Sequence, residues 1–172
     1  MLFELSPVLR RAGRVIVFLT AAGLIAGCQR PLYSTSSAVP QKLASIKISP
    51  ADDRVEQVVR NRLIFLMTGG AGEAATADYQ LQMNVTSARA NILDDEISTA
   101  LTPGRVTVTA TYSLSSTKDS KVLKQGTRSV TALVDIGNQE FAKLRAYRDA
   151  EDRAGRELAE FIRADLASVL GR

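Results

Sequence analysis

The chain contains no histidine and no tryptophan, and it has a single cysteine, Cys28. Without an imidazole, the Ser-His-Asp and Cys-His hydrolases are excluded, as are most catalytic zinc sites. A lone cysteine cannot form an internal disulfide, so the cysteine count gives no information about the redox compartment. Carboxylate or Ser-Lys chemistry is still allowed by composition, but no other feature favours it. We therefore expect a protein that is not an enzyme and that uses no metal and no cofactor.

A large excess of charge of one sign is also missing. The 172 residues carry a net charge of +4, and residues 1–27, with three arginines and one glutamate, account for half of it. The remaining +2 is far from the strong basic field of a general nucleic-acid-binding protein. A hydrophobic fraction of 45% is typical of a folded globular chain. The length predicts one domain.

The N-terminus has the pattern of a bacterial export signal. Three arginines between residues 10 and 14 precede an apolar run from Val15 to Ala26. This run is shorter than the ~20 residues that a membrane-spanning helix needs, which is typical of a signal peptide. It ends in Ile25-Ala26-Gly27-Cys28, which is similar to the lipobox of bacterial lipoproteins. We predict cleavage before Cys28 and acylation of its sulfur; the alternatives are an uncleaved anchor and a cysteine that stands there by chance.

The residues that follow the cysteine predict a tether and then one domain. Each buried acyl CH₂ contributes only ~0.8 kcal/mol, so stable anchoring needs more than one chain, as a triacylated cysteine provides. Gln29, standing where an aspartate would signal inner-membrane retention, favours the outer membrane. Residues 29–41 hold two prolines and a Ser/Thr run, typical of a tether. The predicted organisation is a signal peptide over 1–27, a lipidated tether over 28–41 and a single domain over 42–172.

Hydrophobic periodicity predicts the order β-α-β-β-β-α in this domain. A short strand over 43–48 precedes a helix that is capped by Asp52 or Asp53 and ends before Gly69. Three strands follow, from Tyr79 to about residue 86, from about residue 104 to 115, and from about residue 122 to 134. A long helix covers about 139–170. The predicted fold is α+β: a two-layer sandwich of a four-stranded mixed sheet with two helices on one face, its first unit a right-handed crossover.

Several packing details follow from the same spacing. Gly126 lies where the apolar parity of the last strand changes, and we predict a β-bulge there. Asp149–Arg153 and Asp152–Arg156 are expected as i,i+4 ion pairs on the exposed side of the last helix. The predicted core-facing residues of the two helices are Val55, Val59, Leu63 and Leu66, then Leu144, Tyr147, Ala154, Leu158, Phe161, Leu166 and Val169.

The predicted outer face of the sheet is polar but nearly uncharged. A solvated sheet face usually carries Lys and Glu, whereas hydroxyls and amides can be covered by another polar surface without burying charge. We interpret this face as a partner surface; the alternative is an ordinary solvated face, because Thr is a good strand former. Its residues are Gln80, Gln82, Asn84, Thr86, Thr107, Thr109, Thr111, Ser113 and Ser115.

Charged clusters provide two further candidate sites. Asp94-Asp95-Glu96 could hold calcium, but the EF-hand spacing is absent, so a solvated acidic loop is the favoured interpretation. Basic residues near strand ends would suit phosphate groups, with ordinary surface charge as an equal alternative. They are Lys118, Lys121, Lys124, Arg128, Arg89 and Arg105.

The ordered set of motifs resembles one known family. Arg30-Pro31-Leu32-Tyr33 follows the cysteine, and residues 53–63 are similar to the pattern DR-x-x-Q-x-x-R-N-x-L. The last predicted helix contains Arg148-Asp149-Ala150-Glu151-Asp152-Arg153-Ala154, then Leu158-Ala159 and Ile162. Together these motifs resemble the LptE family of lipopolysaccharide (LPS) assembly lipoproteins, especially its alphaproteobacterial branch.

The resemblance implies a lipoprotein of the Gram-negative outer membrane. Such a protein sits inside an LptD-type β-barrel, supports assembly of that barrel and assists LPS delivery to the outer leaflet. The implied partners are the barrel, LPS and the membrane that holds the lipid anchor. Arg54, Arg60 and Asn61 are candidates for barrel contact, but could equally brace the first helix. A periplasm-facing auxiliary lipoprotein of another envelope lipid-transport system is the alternative function.

Overall fold

The computed structural model of the chain describes residues 38–91 and 102–171. Cys28, the tether up to residue 37 and the acidic triplet Asp94-Asp95-Glu96 lie outside the described residues. The elements in chain order are α1 (Val39–Ala44), β1 (Ile46–Ile48), α2 (Arg54–Thr68), β2 (Tyr79–Asn91), β3 (Thr102–Ser116), β4 (Val122–Ile136) and α3 (Glu140–Leu170).

The strands form one mixed sheet in the order β1-β2-β3-β4. β1 pairs in parallel with β2, and the other two pairs are antiparallel. The apolar side chains of the sheet and of the helices form one buried cluster between the two layers. The α+β prediction is therefore confirmed. None of the described helices combines the length and the apolar character needed to cross a membrane.

The N-terminal part of the domain differs from the sequence-based expectation. A short helix, α1, stands where the end of the tether and the first half of a strand were predicted, and β1 has only three residues. Pro40 lies in the first turn, where its missing N–H would be unpaired in any case. Val39 and Leu43 of this helix are buried, and their burial stabilises a helical turn in a segment whose composition predicted a tether.

Helix α2 begins and ends as its sequence predicts. The Asp53 carboxylate accepts a hydrogen bond of 2.8 Å from the amide of Glu56, and the Glu56 carboxylate accepts one of 3.2 Å from the amide of Asp52. This reciprocal arrangement resembles a capping box and satisfies amides that have no partner inside the helix. Burial raises the pKa of Glu56 above its ordinary value, although the bond from Asp52 opposes that change. Leu66, predicted as core, is only partly buried, and Met67 is buried beside it.

The loop predicted between about Ser87 and Pro103 is shorter in the structure. β2 continues to Asn91 and β3 starts at Thr102, with Asn91 opposite Gly104. The predicted alternation stopped at Thr86 because the remaining residues of β2 are polar or small. Backbone pairing with β3 nevertheless extends the strand, since pairing depends on the neighbouring strand as well as on side-chain polarity.

The β-bulge lies at Leu123, so its predicted position at Gly126 was wrong. Leu114 pairs with Lys124 and Ser115 pairs with Val122, which leaves Leu123 as the extra residue. Gly126 stands in regular register opposite Tyr112. The glycine has a packing role: a Cβ there would lie only 2.6 Å from the Tyr112 hydroxyl oxygen.

Helix α3 is rotated slightly from its predicted orientation. Tyr147, Ala154, Leu158 and Leu166 are buried as predicted. The assignments of Leu144 and Phe161 to the core were wrong, since they are 38% and 45% exposed, and Val169 is only partly buried. The structure buries other residues instead, among them Ala150, Ala159, Ile162, Ala167 and Leu170. Phe161 and Ile162 are neighbours, so a small rotation of the helix decides which of the two enters the core.

Candidate functional site

The sheet face opposite the helices is a broad polar surface, uncharged in its central rows, which we call the polar sheet face. Cross-strand pairing places its side chains in rows of three, one each from β2, β3 and β4. Four successive rows contain no charged residue. They are Gln82–Ser113–Gln125, Asn84–Thr111–Thr127, Thr86–Thr109–Ser129 and Ala88–Thr107–Thr131.

Hydroxyl groups of β3 and β4 contact one another across this face. The side-chain oxygens of Thr107 and Thr131 are 3.0 Å apart, and so are those of Thr109 and Ser129. Thr111 and Thr127 form a longer pair of 3.4 Å. Each hydroxyl can both donate and accept, so every pair keeps hydrogen-bonding capacity for a surface placed against it.

The polar sheet face is wider than the sequence predicted. All the predicted residues of β2 and β3 lie on it, from Gln80 to Thr86 and from Thr107 to Ser115. Thr127, Ser129 and Thr131 of β4 also belong to it and were missed. Their alternation is present in the sequence, but the change of apolar parity along this strand hides it. A shallow hollow of about 690 Å³ opens on this face between Gln82, Asn84, Ser113 and Thr127.

Beneath the hollow, a polar cluster ties the sheet to α3. Arg128 donates two hydrogen bonds of 2.7 Å, one to each carboxylate oxygen of Asp165. The Tyr112 hydroxyl also donates to Asp165. Burial and the hydrogen bond to Asp165 raise the pKa of Tyr112 to about 12. The hydrogen bonds from Arg128 lower the pKa of Asp165 below its ordinary value, although burial opposes this.

The basic residues predicted to contact phosphate do not form one cluster in the structure. Lys118 and Lys121 lie in or beside the turn between β3 and β4, and Lys124 follows them near the start of β4. The ammonium of Lys118 is 3.8 Å from Asp78, and that lysine side chain is 81% exposed. Arg105 lies at the opposite end of the sheet, in the row with Ala90 and Leu133 on the polar sheet face.

Arg89 and Arg128 both bind carboxylates of α3. Arg89 faces the helix layer, where it donates to Glu151 at 2.7 and 3.0 Å and stacks over the ring of Tyr147. Arg128 binds Asp165 as described above. Their guanidinium groups therefore support the contact between sheet and helix, and they are less available to an external phosphate than the three lysines.

The motif residues of the two long helices contact each other. Arg54 pairs with the buried carboxylate of Glu151 and, at 2.5 Å, with Asp152. Asp152 was expected to pair with Arg156, and this expectation was wrong because Arg54 takes its place. Burial of Arg54 disfavours its charged form and so lowers its pKa. The hydrogen bonds to Asp152 and Glu151 have the larger combined effect, and the pKa of Arg54 is raised above its ordinary value. Arg62 pairs with Glu160 of α3 at 2.6 Å.

The other two candidates for barrel contact also have partners within the domain. Arg60 donates to the backbone oxygen of Ser49 at 3.1 Å and pairs with Glu73 at 2.7 Å. Asn61 accepts a hydrogen bond of 2.6 Å from Gln57. These contacts agree with a bracing role for the α2 motif.

The predicted pair Asp149–Arg153 is present at 3.0 Å. Among the described residues, no group of three or more Asp, Glu, Cys or His side chains could hold a metal ion.

Comparison with known proteins identifies the family. A family model described as LptE, lipopolysaccharide-assembly, matches residues 43–166, which cover all the described elements apart from α1 and the last turn of α3. The chain belongs to the LptE family. It is accordingly a protein of lipopolysaccharide assembly. A search among curated proteins found no match.

Solved structures support the LptE-like fold. A crystal structure from Caulobacter crescentus CB15 matches with a TM-score of 0.62 and 23% identity, covering 77% of this chain and 94% of that one. Rare lipoprotein B from Shewanella oneidensis matches with a TM-score of 0.54 and 14% identity, over 72% and 92% of the two chains. A minor lipoprotein from Acinetobacter baumannii gives 0.51 and 13%, over 72% and 88%. At these identities the likeness establishes the fold.

Proposed function

We propose that this LptE-family protein is an outer-membrane lipoprotein that plugs an LptD-type β-barrel, supports the assembly of that barrel and assists LPS delivery to the outer leaflet. The observation that carries the proposal is the polar sheet face, whose four central rows contain no charge. Family membership supplies the biological setting, and the face supplies a surface suited to a polar lumen.

The side chains of the polar sheet face are suited to contact with another polar surface. Its central side chains are hydroxyls, amides and one alanine, which can exchange hydrogen bonds with water for hydrogen bonds with a partner. A charged group buried in the same contact would lose its hydration and would need a fixed partner of opposite charge. A β-barrel lumen presents alternate side chains of its strands at similar depth. The two surfaces can therefore meet over a wide area without burying unpaired charge.

Substitution of Thr109, near the centre of the polar sheet face, tests the plug. Thr109→Lys should leave the domain folded, because the side chain lies outside the core, but should reduce recovery of the barrel in a pull-down from solubilised outer membrane. Thr76→Lys is the matched control, since Thr76 is exposed in the loop between α2 and β2. A photo-crosslinker at position 109 should also capture the barrel in cells.

Two results would contradict the plug. One is normal barrel recovery with Thr109→Lys together with no adduct from position 109, which would mean that the face is solvated. The other is recovery of a different envelope lipid transporter in place of a barrel, which would support the auxiliary-lipoprotein alternative.

The proposal includes a lipid anchor at Cys28. The support is the ordered signal of arginines, apolar run and Ile25-Ala26-Gly27-Cys28. Mass spectrometry of the mature N-terminus should find residue 28 first, carrying acyl groups. An unmodified cysteine, or cleavage at another residue, would exclude this anchor.

We also propose that the lysines near the β3–β4 turn contact LPS phosphates. Lys118, Lys121 and Lys124 support this proposal because they are close together in sequence at one end of the sheet, and because ammonium groups bind phosphate as point charges. Arg105 is a secondary candidate at the other end. Arg89 and Arg128 are weaker candidates, since both already bind carboxylates.

A further inference from the structure

One end of the domain brings together the start of the described chain and the β3–β4 turn. The backbone oxygen of Ser45, directly after α1, accepts a hydrogen bond of 3.0 Å from the amide of Asp78. The backbone oxygen of Asp78 accepts bonds of 2.9 Å from both the amide and the hydroxyl of Thr117. Lys42 of α1 also donates to the backbone oxygen of Leu170, at the end of α3. We call the end formed by α1 and the β3–β4 turn the tether end.

The cysteine predicted to carry the lipid is a short length of chain away from the tether end. The described chain begins at Ala38, and ten residues, from Cys28 to Ser37, precede it. Ten residues can span at most about 36 Å when fully extended. They include Arg30 and no acidic side chain, so they cannot neutralise basic groups of the domain. With the anchor proposed above at Cys28, on which the inference rests, the tether end lies within this reach of the membrane surface.

The surface of the tether end combines exposed lysines with an exposed apolar side chain. Lys118 and Lys121 of the turn are exposed, and Val122, the next residue, is 50% exposed. Pairing across the sheet places Val122 in one row with Lys47, which is also exposed. Cations around an apolar side chain suit a membrane interface, where the cations meet lipid phosphates and the apolar group meets the upper acyl chains.

The carboxylates at the tether end do not cancel this positive charge. Asp78 is 3.8 Å from the ammonium of Lys118, and exposed pairs of this kind are weak. Asp119 accepts a bond of 3.3 Å from a backbone amide inside the turn. Glu73, in the loop before β2, pairs with Arg60. Against the two aspartates stand the lysines of this end, which are Lys42, Lys47, Lys118, Lys121 and Lys124.

The opposite end of the domain has the opposite excess of charge. It is the end where β2 and β4 finish and α3 begins. Residues 92–101, which join β2 to β3 there, contain three acids and no base. Other charged side chains near this end include Arg105, Lys143, Arg145 and Arg148 against Asp135, Glu140 and Asp149. An anionic surface therefore attracts the tether end more strongly than the opposite end.

We infer that the tether end docks on the anionic phospholipid headgroups of the membrane that holds the anchor. Lys47, Lys118 and Lys121 face lipid phosphates in this arrangement, and Val122 enters the interface between them. The lipid anchor already keeps the domain at the surface, so the lysines need only favour one orientation. Each lysine near an anionic surface shifts that equilibrium about fivefold. The turn lysines are also those proposed to meet LPS phosphates, so the test separates the two sources of phosphate.

A single tryptophan at the tether end tests the inference, because the chain has none of its own. Tryptophan is a good strand residue, so Val122→Trp should keep the fold. The lipidated mature protein is reconstituted into vesicles of phosphatidylethanolamine and phosphatidylglycerol whose acyl chains carry bromine near the headgroup. Bromine quenches tryptophan fluorescence on contact, and we expect strong quenching for Val122→Trp. Addition of Lys118→Glu and Lys121→Glu, or high salt, should remove most of the quenching.

Two control variants separate orientation from attachment. Leu133→Trp carries the probe near the other end of β4, at a position that is 67% exposed, and should stay unquenched. Arg145→Glu with Arg148→Glu, added to Val122→Trp, makes the same change in net charge at the opposite end and should leave the quenching intact. Vesicles without phosphatidylglycerol should quench Val122→Trp less, because they lack the anionic headgroups.

The outcomes distinguish this inference from the proposals on which it builds. If the protein does not float with the vesicles in a density gradient, the anchor is contradicted and the inference falls with it. If it floats but position 122 is quenched no more than position 133, the anchor stands and the docking is wrong. Quenching that survives the two lysine reversals also overturns the docking. Quenching that requires LPS in the vesicles supports the LPS proposal and overturns this one.

Discussion

At the scale of single residues, two carboxylates of α3 determine how this helix lies on the sheet. Glu151 is buried and receives Arg89 from β2 and Arg54 from α2. Asp165 receives Arg128 from β4 and the hydroxyl of Tyr112 from β3. Each carboxylate thus connects α3 to two other elements, and removal of either would leave a guanidinium without its partner.

Asp165 should make part of the folding stability dependent on pH. Its pKa is lowered in the folded state, so its stabilising contribution is complete above the ordinary Asp range and is lost as pH falls through the folded pKa. Asp165→Asn should reduce the free energy of unfolding at pH 7 by about 1–2 kcal/mol, because a charge-assisted contact is lost. Below the folded pKa, the difference from the unmodified protein should shrink. Denaturant titrations at several pH values measure both effects.

The control for Asp165 is Asp149→Asn. Asp149 also pairs with an arginine, Arg153, but its side chain is 67% exposed. Exposed pairs contribute little, so this variant should show almost no change. An equally large loss in both variants would mean that net charge, rather than the Arg128–Asp165–Tyr112 cluster, determines the pH dependence.

At the scale of elements, the rotation of α3 about its own axis decides which apolar residues enter the core. Leu158 is fully buried, whereas Phe161, three residues later, is 45% exposed. Both had the spacing of core residues. The pairs Arg54–Glu151 and Arg128–Asp165 hold the helix in the observed rotation from two sides.

Aspartate substitutions at these two positions should have very different effects. Leu158→Asp places an unpaired charge in the core and should destabilise the domain by several kcal/mol, enough to unfold it or lower its Tm sharply. Phe161→Asp introduces the same charge on the same helix but at a position that is 45% exposed, and its cost should be about 1–2 kcal/mol, from the lost burial of half an aromatic ring. Thermal unfolding followed by circular dichroism measures both. Equal destabilisation of the two variants would show that the helix is not docked as observed.

At the scale of the whole molecule, the two layers give the protein different surfaces on its two sides. The polar sheet face offers neutral hydrogen-bonding groups over a wide area, while the first turns of α3 expose Phe141, Arg145 and Arg148. The lysines near the β3–β4 turn lie at one end, away from the first turns of α3. An assembly protein can thus contact more than one partner at once without competition for a surface.

The lysines near the turn provide the test of LPS contact. Lys118→Glu with Lys121→Glu should weaken LPS binding about tenfold or more in low salt, where screening is least, without changing the thermal unfolding temperature, since both side chains are exposed. Lys143→Glu with Arg156→Glu makes the same change in charge on α3 and should leave binding nearly unchanged. Unchanged affinity in the first variant at low salt would exclude this contact.

The sequence by itself determined the features that depend on neighbours along the chain. The Asp53 cap, the end of α2 before Gly69, the alternation along β2 and β3 and the order of the long elements all follow from local spacing and backbone preference. The uncharged face was predictable for the same reason, since alternation in a strand assigns side chains to faces before the strands are paired.

Only the tertiary structure decided the features that depend on distant partners. Pairing with β3 extended β2 to Asn91, and the register placed the bulge at Leu123 rather than at Gly126. Burial of Val39 and Leu43 formed α1 in a segment with tether composition. Arg54 paired with Asp152 because α2 and α3 are adjacent. The offset between α3 and α2 likewise appears only when the two helices are packed side by side.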